Sequence, residues 1–156
     1  MSATPVMACV ALGANLGDAE AAVQQALRDV AGLPDTQLVK ASSLYRSAPY
    51  EAQGPDFINA VALVQTQLSP HALLHALQAL ELQSGRERPY KNAPRTLDLD
   101  LIFYGNVALT TPELTLPHPR WPERAFVLQP LAEVWPERVS ADLLAAVQDQ
   151  AIQRMV

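Results

Sequence analysis

Asp98 and Asp100 sit two residues apart in the run Leu97-Asp98-Leu99-Asp100-Leu101-Ile102-Phe103-Tyr104, whose alternation reads as a buried strand. Period two predicts Leu97, Leu99, Leu101 and Phe103 on one face, with Asp98, Asp100, Ile102 and Tyr104 on the other. Two ionised carboxylates on one side repel each other and are driven toward protonation unless a cation lies between them. Carboxylate oxygens are hard ligands suited to Mg²⁺, which keeps several waters and commonly completes its shell with substrate phosphates. An Asp-x-Asp pair is short, and most chance occurrences lie on solvated strands or turns. The surroundings strengthen it: Arg86, Arg88, Lys91 and Arg95 precede the pair in a stretch that also holds Pro89, Tyr90 and Pro94. Metal-type ligands beside phosphate-type cations point to a nucleotide site.

Asn59 is the second residue with chemistry to explain. It lies in the middle of the apolar run Phe57 to Thr66, where an amide must be hydrogen-bonded, and the edge of a ligand is a natural partner. His71 and His75 have the spacing of metal ligands on a helix, but no third ligand accompanies them, and they read as surface residues.

These residues must be positioned by one domain spanning residues 1–156, since 156 residues, about half of them hydrophobic, suit one core rather than two. A net charge of −5 argues against a general nucleic-acid surface, and no apolar span is long enough to cross a membrane. The lone Cys9 excludes an intramolecular disulfide and suggests inert packing, so a cytoplasmic protein is the expectation, and a monomer is expected with it.

Val6 to Leu12 reads as a central strand closed by a turn at Gly13 to Gly17. Asp18 then caps a helix with Val23, Ala26, Leu27 and Val30 on its apolar face, stopped by Gly32 and Pro34. Leu38 to Tyr45 reads as one strand, and 47–56 as a long loop. Phe57 to Thr66 is the next strand, with Phe57, Asn59 and Val61 on one face. Ser69-Pro70 starts a helix carrying Leu73, Leu74, Leu77 and Leu80, and Gly85 ends it. After the Asp-x-Asp strand come a short edge strand at Val107 to Thr110, a helix at Ala125 to Val134 and a final helix from about Ser140 to Met155. The order strand, helix, strand, strand, helix, strand is a split βαβ pattern. It predicts a ferredoxin-like α+β fold, with helices on one sheet face, the strands from Val6 and Leu97 as central neighbours, and the other face free for ligands.

ALGANLGD at 11–18, SSLYRSAPY at 42–50, DFINAV at 56–61, LELQSGRER at 80–88, PRTLDLDLIFYG at 94–105 and LPHPRWPERAFVLQPL at 116–131 occur in this order. Over nearly its whole length the chain resembles the 6-hydroxymethyl-7,8-dihydropterin pyrophosphokinase family, which is ferredoxin-like and moves diphosphate from ATP to a pterin alcohol in folate biosynthesis. The resemblance implies that Asp98 and Asp100 bind two Mg²⁺ ions and that Arg86 and Arg95 are the catalytic cations. It implies a pterin pocket of Ser47, Tyr50, Phe57, Asn59, Asp98 and Phe126. On the ATP side it implies Leu74, Gln78, Glu81, Arg86, Arg88, Lys91, Arg95, Leu101, Thr115, His118 and Arg124. The chain departs from the family's pattern in a shorter stretch between Gly85 and Pro94 and at Tyr90, Glu113 and Pro119. A competing class is a non-catalytic ferredoxin-like module for small molecules or RNA. RNA would require exposed aromatics and a basic face where this chain has Asp98 and Asp100.

Overall fold

A computed structural model describes residues 4–48, 55–85 and 97–155. In chain order its elements are β1 (Val6–Ala14), α1 (Ala19–Ala31), β2 (Thr36–Ala41), β3 (Tyr45–Ser47), β4 (Phe57–Thr66), α2 (Pro70–Gly85) and β5 (Asp98–Tyr104). There follow β6 (Leu109–Thr110), β7 (Thr115–Leu116), α3 (Ala125–Val134), α4 (Ala141–Ala146) and β8 (Ile152–Arg154), with short 3₁₀ turns before and after α3.

Local signals account for most of these boundaries. Asp18 accepts a hydrogen bond from the Ala21 amide at the start of α1, and Ser69 does the same for Ala72 at the start of α2. The turn after β1 begins later than Gly13, because Gly13 and Ala14 stay paired with Asn59 and Ile58. The expected strand from Leu38 to Tyr45 is two strands, since Ser42 interrupts it. Its hydroxyl takes the hydrogen bond of the Val61 amide that a strand backbone would otherwise accept.

β5-β1-β4-β3-β8 pair in that order, β2 pairs with β4, and every pairing is antiparallel. The strands from Val6 and Leu97 are neighbours as expected, but only β1 is central, whereas β5 borders the sheet. The expected final helix stops at Ala146, and Ile152–Arg154 instead adds a strand beside β3. Leu109–Thr110 pairs with Thr115–Leu116 in a separate hairpin.

Alternation along β1 and β4 sends alternate residues to two cores. Ala8, Val10, Leu12, Ile58, Ala60, Ala62 and Val64 pack against Val23, Ala26 and Val30 of α1 and Leu73 and Leu77 of α2. Cys9, Ala11, Val61 and Leu63 pack against Val127, Leu131 and Val134 of α3. The second sheet face is therefore covered by α3 over part of its extent, a correction to the expectation that it stands free. Cys9 is fully buried, and burial pushes its thiol pKa up, so it stays protonated and inert. No helix among the described residues is long and apolar enough to cross a membrane.

Candidate active site

The open part of that second face is built from a row of residues across adjacent strands. Gly13 is paired with Asp98 of β5 on one side and with Asn59 of β4 on the other, and Asn59 is paired in turn with Tyr45 of β3. In the next row Ala11 lies between Asp100 and Val61. Directly opposed residues point to the same face, so Asp98, Asp100, Gly13 and Asn59 share it. Strands lie about 4.8 Å apart, which places the Asp98 and Asn59 positions roughly 10 Å apart across Gly13. Small residues form the floor between the two polar walls, and a Cβ added at Gly13 would come within 3.3 Å of the Asn59 Oδ1.

Above this floor lies a cavity of about 360 Å³ lined by Ala11, Leu12, Gly13, Ala48, Phe57, Asn59, Asp98, Asp100, Arg120, Arg124 and Phe126. The structure thus gathers Phe57, Asn59, Asp98, Asp100, Arg124 and Phe126, all expected from the sequence, around one space. Asn59 is 2 % exposed, and its Nδ2 donates to the Ser47 hydroxyl at 2.7 Å, so Ser47 reaches the site through Asn59. Asp98 is exposed and Asp100 half-buried, which corrects the picture of two buried charges: the strand's carboxylate end opens onto the cavity mouth. The expected alternation holds through Ile102 and fails at Phe103. The β1–β5 pairing slips between Cys9 and Val10, so Ile102 and Phe103 both join the α3 core while Tyr104 turns to the other.

A segment after β7 supplies the third wall. The His118 amide donates to the Ile102 carbonyl at 2.9 Å, binding this segment to the outer edge of β5. Trp121 packs edge-on against Phe103 with ring centroids 4.8 Å apart. Arg124 then approaches Asp100 at 3.8 Å and lies over the Phe126 ring at 5.4 Å from its centroid. The His118 Nδ1 accepts the Arg120 amide hydrogen at 3.1 Å. Burial lowers the His118 pKa, Arg124 and Arg120 act in the same direction, and Asp100 opposes them. A neutral ring that accepts at Nδ1 carries its proton on Nε2.

The expected ATP-side residues divide. Arg86, Arg88, Lys91 and Arg95, together with Tyr50 on the pterin side, fall outside the described residues. Leu74, Gln78, Glu81, Leu101, Thr115 and His118 do not line the cavity. Leu101 is buried in the α1–α2 core, Leu74 packs against that core from α2, and Gln78 and Thr115 are exposed. The Glu81 carboxylate accepts the Leu99 amide hydrogen at 2.8 Å, tying α2 to β5. His75 pairs with Glu113 at 3.0 Å and His71 contacts Thr111 at 3.1 Å, so both join α2 to the β6–β7 hairpin. Among the described residues no cluster of three or more His, Cys, Asp or Glu could hold a metal.

Sequence reasoning missed Arg120 and the part played by Gly13 and Ala11. The signal for the last two was present: strand periodicity puts them on the face of Cys9, and small residues there leave room for a ligand.

The sequence model of the 7,8-dihydro-6-hydroxymethylpterin-pyrophosphokinase family matches residues 9–136. The chain is 44% identical over 153 residues to the 2-amino-4-hydroxy-6-hydroxymethyldihydropteridine pyrophosphokinase of Pseudomonas aeruginosa, covering 94% of each. It is 42% identical over 130 residues to the protein of the same name from Haemophilus influenzae, covering 83% of this chain and 81% of that one. Among solved structures, an HPPK–DHPS in complex with substrates superposes with a TM-score of 0.69 at 12% identity, over 94% of this chain and 43% of that chain. The chain therefore spans less than half of that longer protein and shares its fold over that part. With a family match across most of its length and relatives at this identity, the chain belongs to the 7,8-dihydro-6-hydroxymethylpterin-pyrophosphokinase family.

Proposed function

We propose that the chain performs its family's pyrophosphokinase reaction with the cavity between β5 and β4 as the pterin pocket and the Asp98–Asp100 edge as the phosphate end. The hydroxymethyl oxygen of 6-hydroxymethyl-7,8-dihydropterin attacks the β-phosphorus of ATP. The bond from that phosphorus to the α–β bridging oxygen breaks, AMP leaves, and the hydroxyl proton is released as the new P–O bond forms. The observation that carries this reading is the row Asp98–Gly13–Asn59, which sets an acid edge and a buried amide at opposite sides of one small-residue floor.

The donor set fits magnesium. Two carboxylates, with no group of three or more His, Cys, Asp or Glu able to hold a metal among the described residues, leave most coordination positions to water and phosphate oxygens, as Mg²⁺ prefers. Asp98 and Asp100 would hold two such ions, which supply charge neutralisation on the transferring diphosphate. This chain's own residues do the rest. Asn59, oriented by Ser47, reads the pterin edge, while Phe57 and Phe126 offer ring faces to the bicycle. Arg124, next to Asp100, contributes a cation at the phosphate end. Arg86 and Arg95 are assigned the same role from the sequence, with Arg88 and Lys91 assisting, and Tyr50 completes the pterin edge. Leu74, Gln78, Glu81, Leu101, Thr115 and His118 are assigned to the ATP side around β5.

An AMP-release assay with ATP, Mg²⁺ and 6-hydroxymethyl-7,8-dihydropterin tests donor, acceptor and the bond cleaved together. AMP and diphosphorylated pterin in equal amounts are expected. Release of ADP or of inorganic phosphate instead would overturn the reading.

A further inference from the structure

The hydrogen bond from Asn59 to Ser47 requires Ser47 to lie on the cavity face, and the sheet gives it that face only through an irregularity. Between the pairs Ala41↔Ala62 and Tyr45↔Asn59, the β2–β3 side advances four residues while β4 advances three. A strand reverses the face of every side chain for each residue of slip. Without the extra residue, Tyr45 would oppose Ile58 and turn to the α1–α2 core, and Ser47 would turn with it. The insertion at Ser42 to Leu44 therefore creates the Ser47–Asn59 contact.

A residue outside the cavity lining holds that insertion open. Glu133 of α3 accepts from the Ser43 amide at 3.0 and 3.1 Å, from the Ser43 hydroxyl at 3.1 Å and from the Tyr45 hydroxyl at 2.8 Å. Arg154 of β8 closes the group, with Nε donating to the Ser43 hydroxyl at 3.0 Å and Nη2 lying 3.8 Å from the carboxylate. An inserted residue in a strand leaves its amide without a ladder partner, and here a carboxylate supplies one. β8 clamps the same segment from outside: the Met155 amide donates to the Leu44 carbonyl at 2.8 Å, and the Ala48 amide donates to the Ala151 carbonyl at 3.1 Å.

We propose that Glu133 is a positioning residue for the pterin half of the site, fixing the register that presents Ser47 to Asn59, with Arg154 and β8 as its support. The inference rests on the reading of Asn59 as the pterin amide. It assigns to α3 a role beyond covering the sheet. The chain of action runs from Glu133 to the Ser43 insertion, to β3, to Ser47 and to Asn59. Asp98 and Asp100 lie on β5, two strands from Asn59 and on the far side of β1, and Asp100 faces Arg124.

The test compares Glu133→Gln and Arg154→Ala with the parent protein. In Glu133→Gln the KM for 6-hydroxymethyl-7,8-dihydropterin is expected to rise about tenfold, with the KM for ATP and kcat changed by less than about twofold. Arg154→Ala, a change at an exposed side chain, should move the same constant in the same direction by a smaller factor. The side-chain amide resonance of Asn59 should shift in both variants, a readout that needs no turnover. Unchanged pterin KM and unchanged Asn59 resonance in folded Glu133→Gln would overturn the proposal. So would a parallel loss of pterin and ATP affinity, which marks general destabilisation. A parent protein that releases no AMP while the Asn59 resonance still responds to Glu133 would instead defeat the functional reading and leave the positioning link intact.

Discussion

At the scale of single residues, the site depends as much on what is small as on what is polar. Asn59 has its amide hydrogen directed to Ser47, and its oxygen faces the one position in β1 that carries no Cβ. Gly13→Ala should therefore displace the Asn59 amide by a few tenths of an ångström. Calorimetric titration should show pterin affinity falling about tenfold with ATP affinity unchanged, and equal affinity for both ligands in the variant and parent would contradict this role. Asp100→Ala should lower turnover by at least ~10³-fold while the melting temperature stays close to that of the parent, because the carboxylate is half-exposed and supports no core contact. A fully active variant would remove Asp100 from the phosphate end. The types of these residues were legible in the sequence, as were Phe57, Phe126 and Arg124. Arg120 was not, because a cation in a proline-rich connection has no periodicity to place it.

Elements show where local pattern was sufficient. The strand at Phe57–Thr66 and the helix at Ala125–Val134 have the limits that their apolar runs suggest, since each run coincides with an element buried on most sides. α2 carries its core contacts on Leu73 and Leu77, both fully buried. Leu73→Ala should cost about 2–5 kcal/mol in urea unfolding, while activity well below the melting temperature is retained. Ser42→Ala acts differently, as it leaves the buried Val61 amide without its acceptor. A loss of about 1–3 kcal/mol is expected from a change of one oxygen, and a loss below ~0.5 kcal/mol would show that the backbone closes the gap. The sequence misled where pairing, not pattern, set the element. The segment from Ser140 to Met155 is apolar enough for a helix, yet its last residues are more favourably used as an edge strand, where they satisfy the backbone of β3.

The molecule as a whole ties its C-terminal strand, α3 and the interrupted strand through one carboxylate, and this gives its stability a particular pH dependence. Burial alone would raise the Glu133 pKa, but hydrogen bonds from Tyr45 and Ser43 and the nearby Arg154 charge outweigh it and hold the group below the ordinary value. A depressed carboxylate contributes stability above its unfolded value of about 4.3, and that contribution is lost as pH falls through the lower folded value. Tyr45 is pushed up to about 12, first by burial and then by the hydrogen bond and charge of Glu133. Its contribution is complete below about 10 and is lost as pH rises toward about 12. Melting temperature against pH should therefore fall at both ends, and Glu133→Gln should flatten the acid limb and bring tyrosinate formation to lower pH. Identical profiles for the two proteins would contradict the linkage.

By itself the sequence determined the residue types, the sheet-and-helix composition and the family, because those follow from local spacing, from capping and turn chemistry and from motifs that survive as contiguous strings. Asp98 and Asp100 on one face, and Asn59 alone in an apolar strand, were readable for the same reason. Only the tertiary structure decided that Gly13 lies between them, that α3 covers part of the expected open face, and that Glu133 meets the interrupted strand that carries Ser47. Each of these is a relation between strands or layers distant in the chain, governed by pairing register and burial. Periodicity within one segment carries no information about which neighbour that segment will meet.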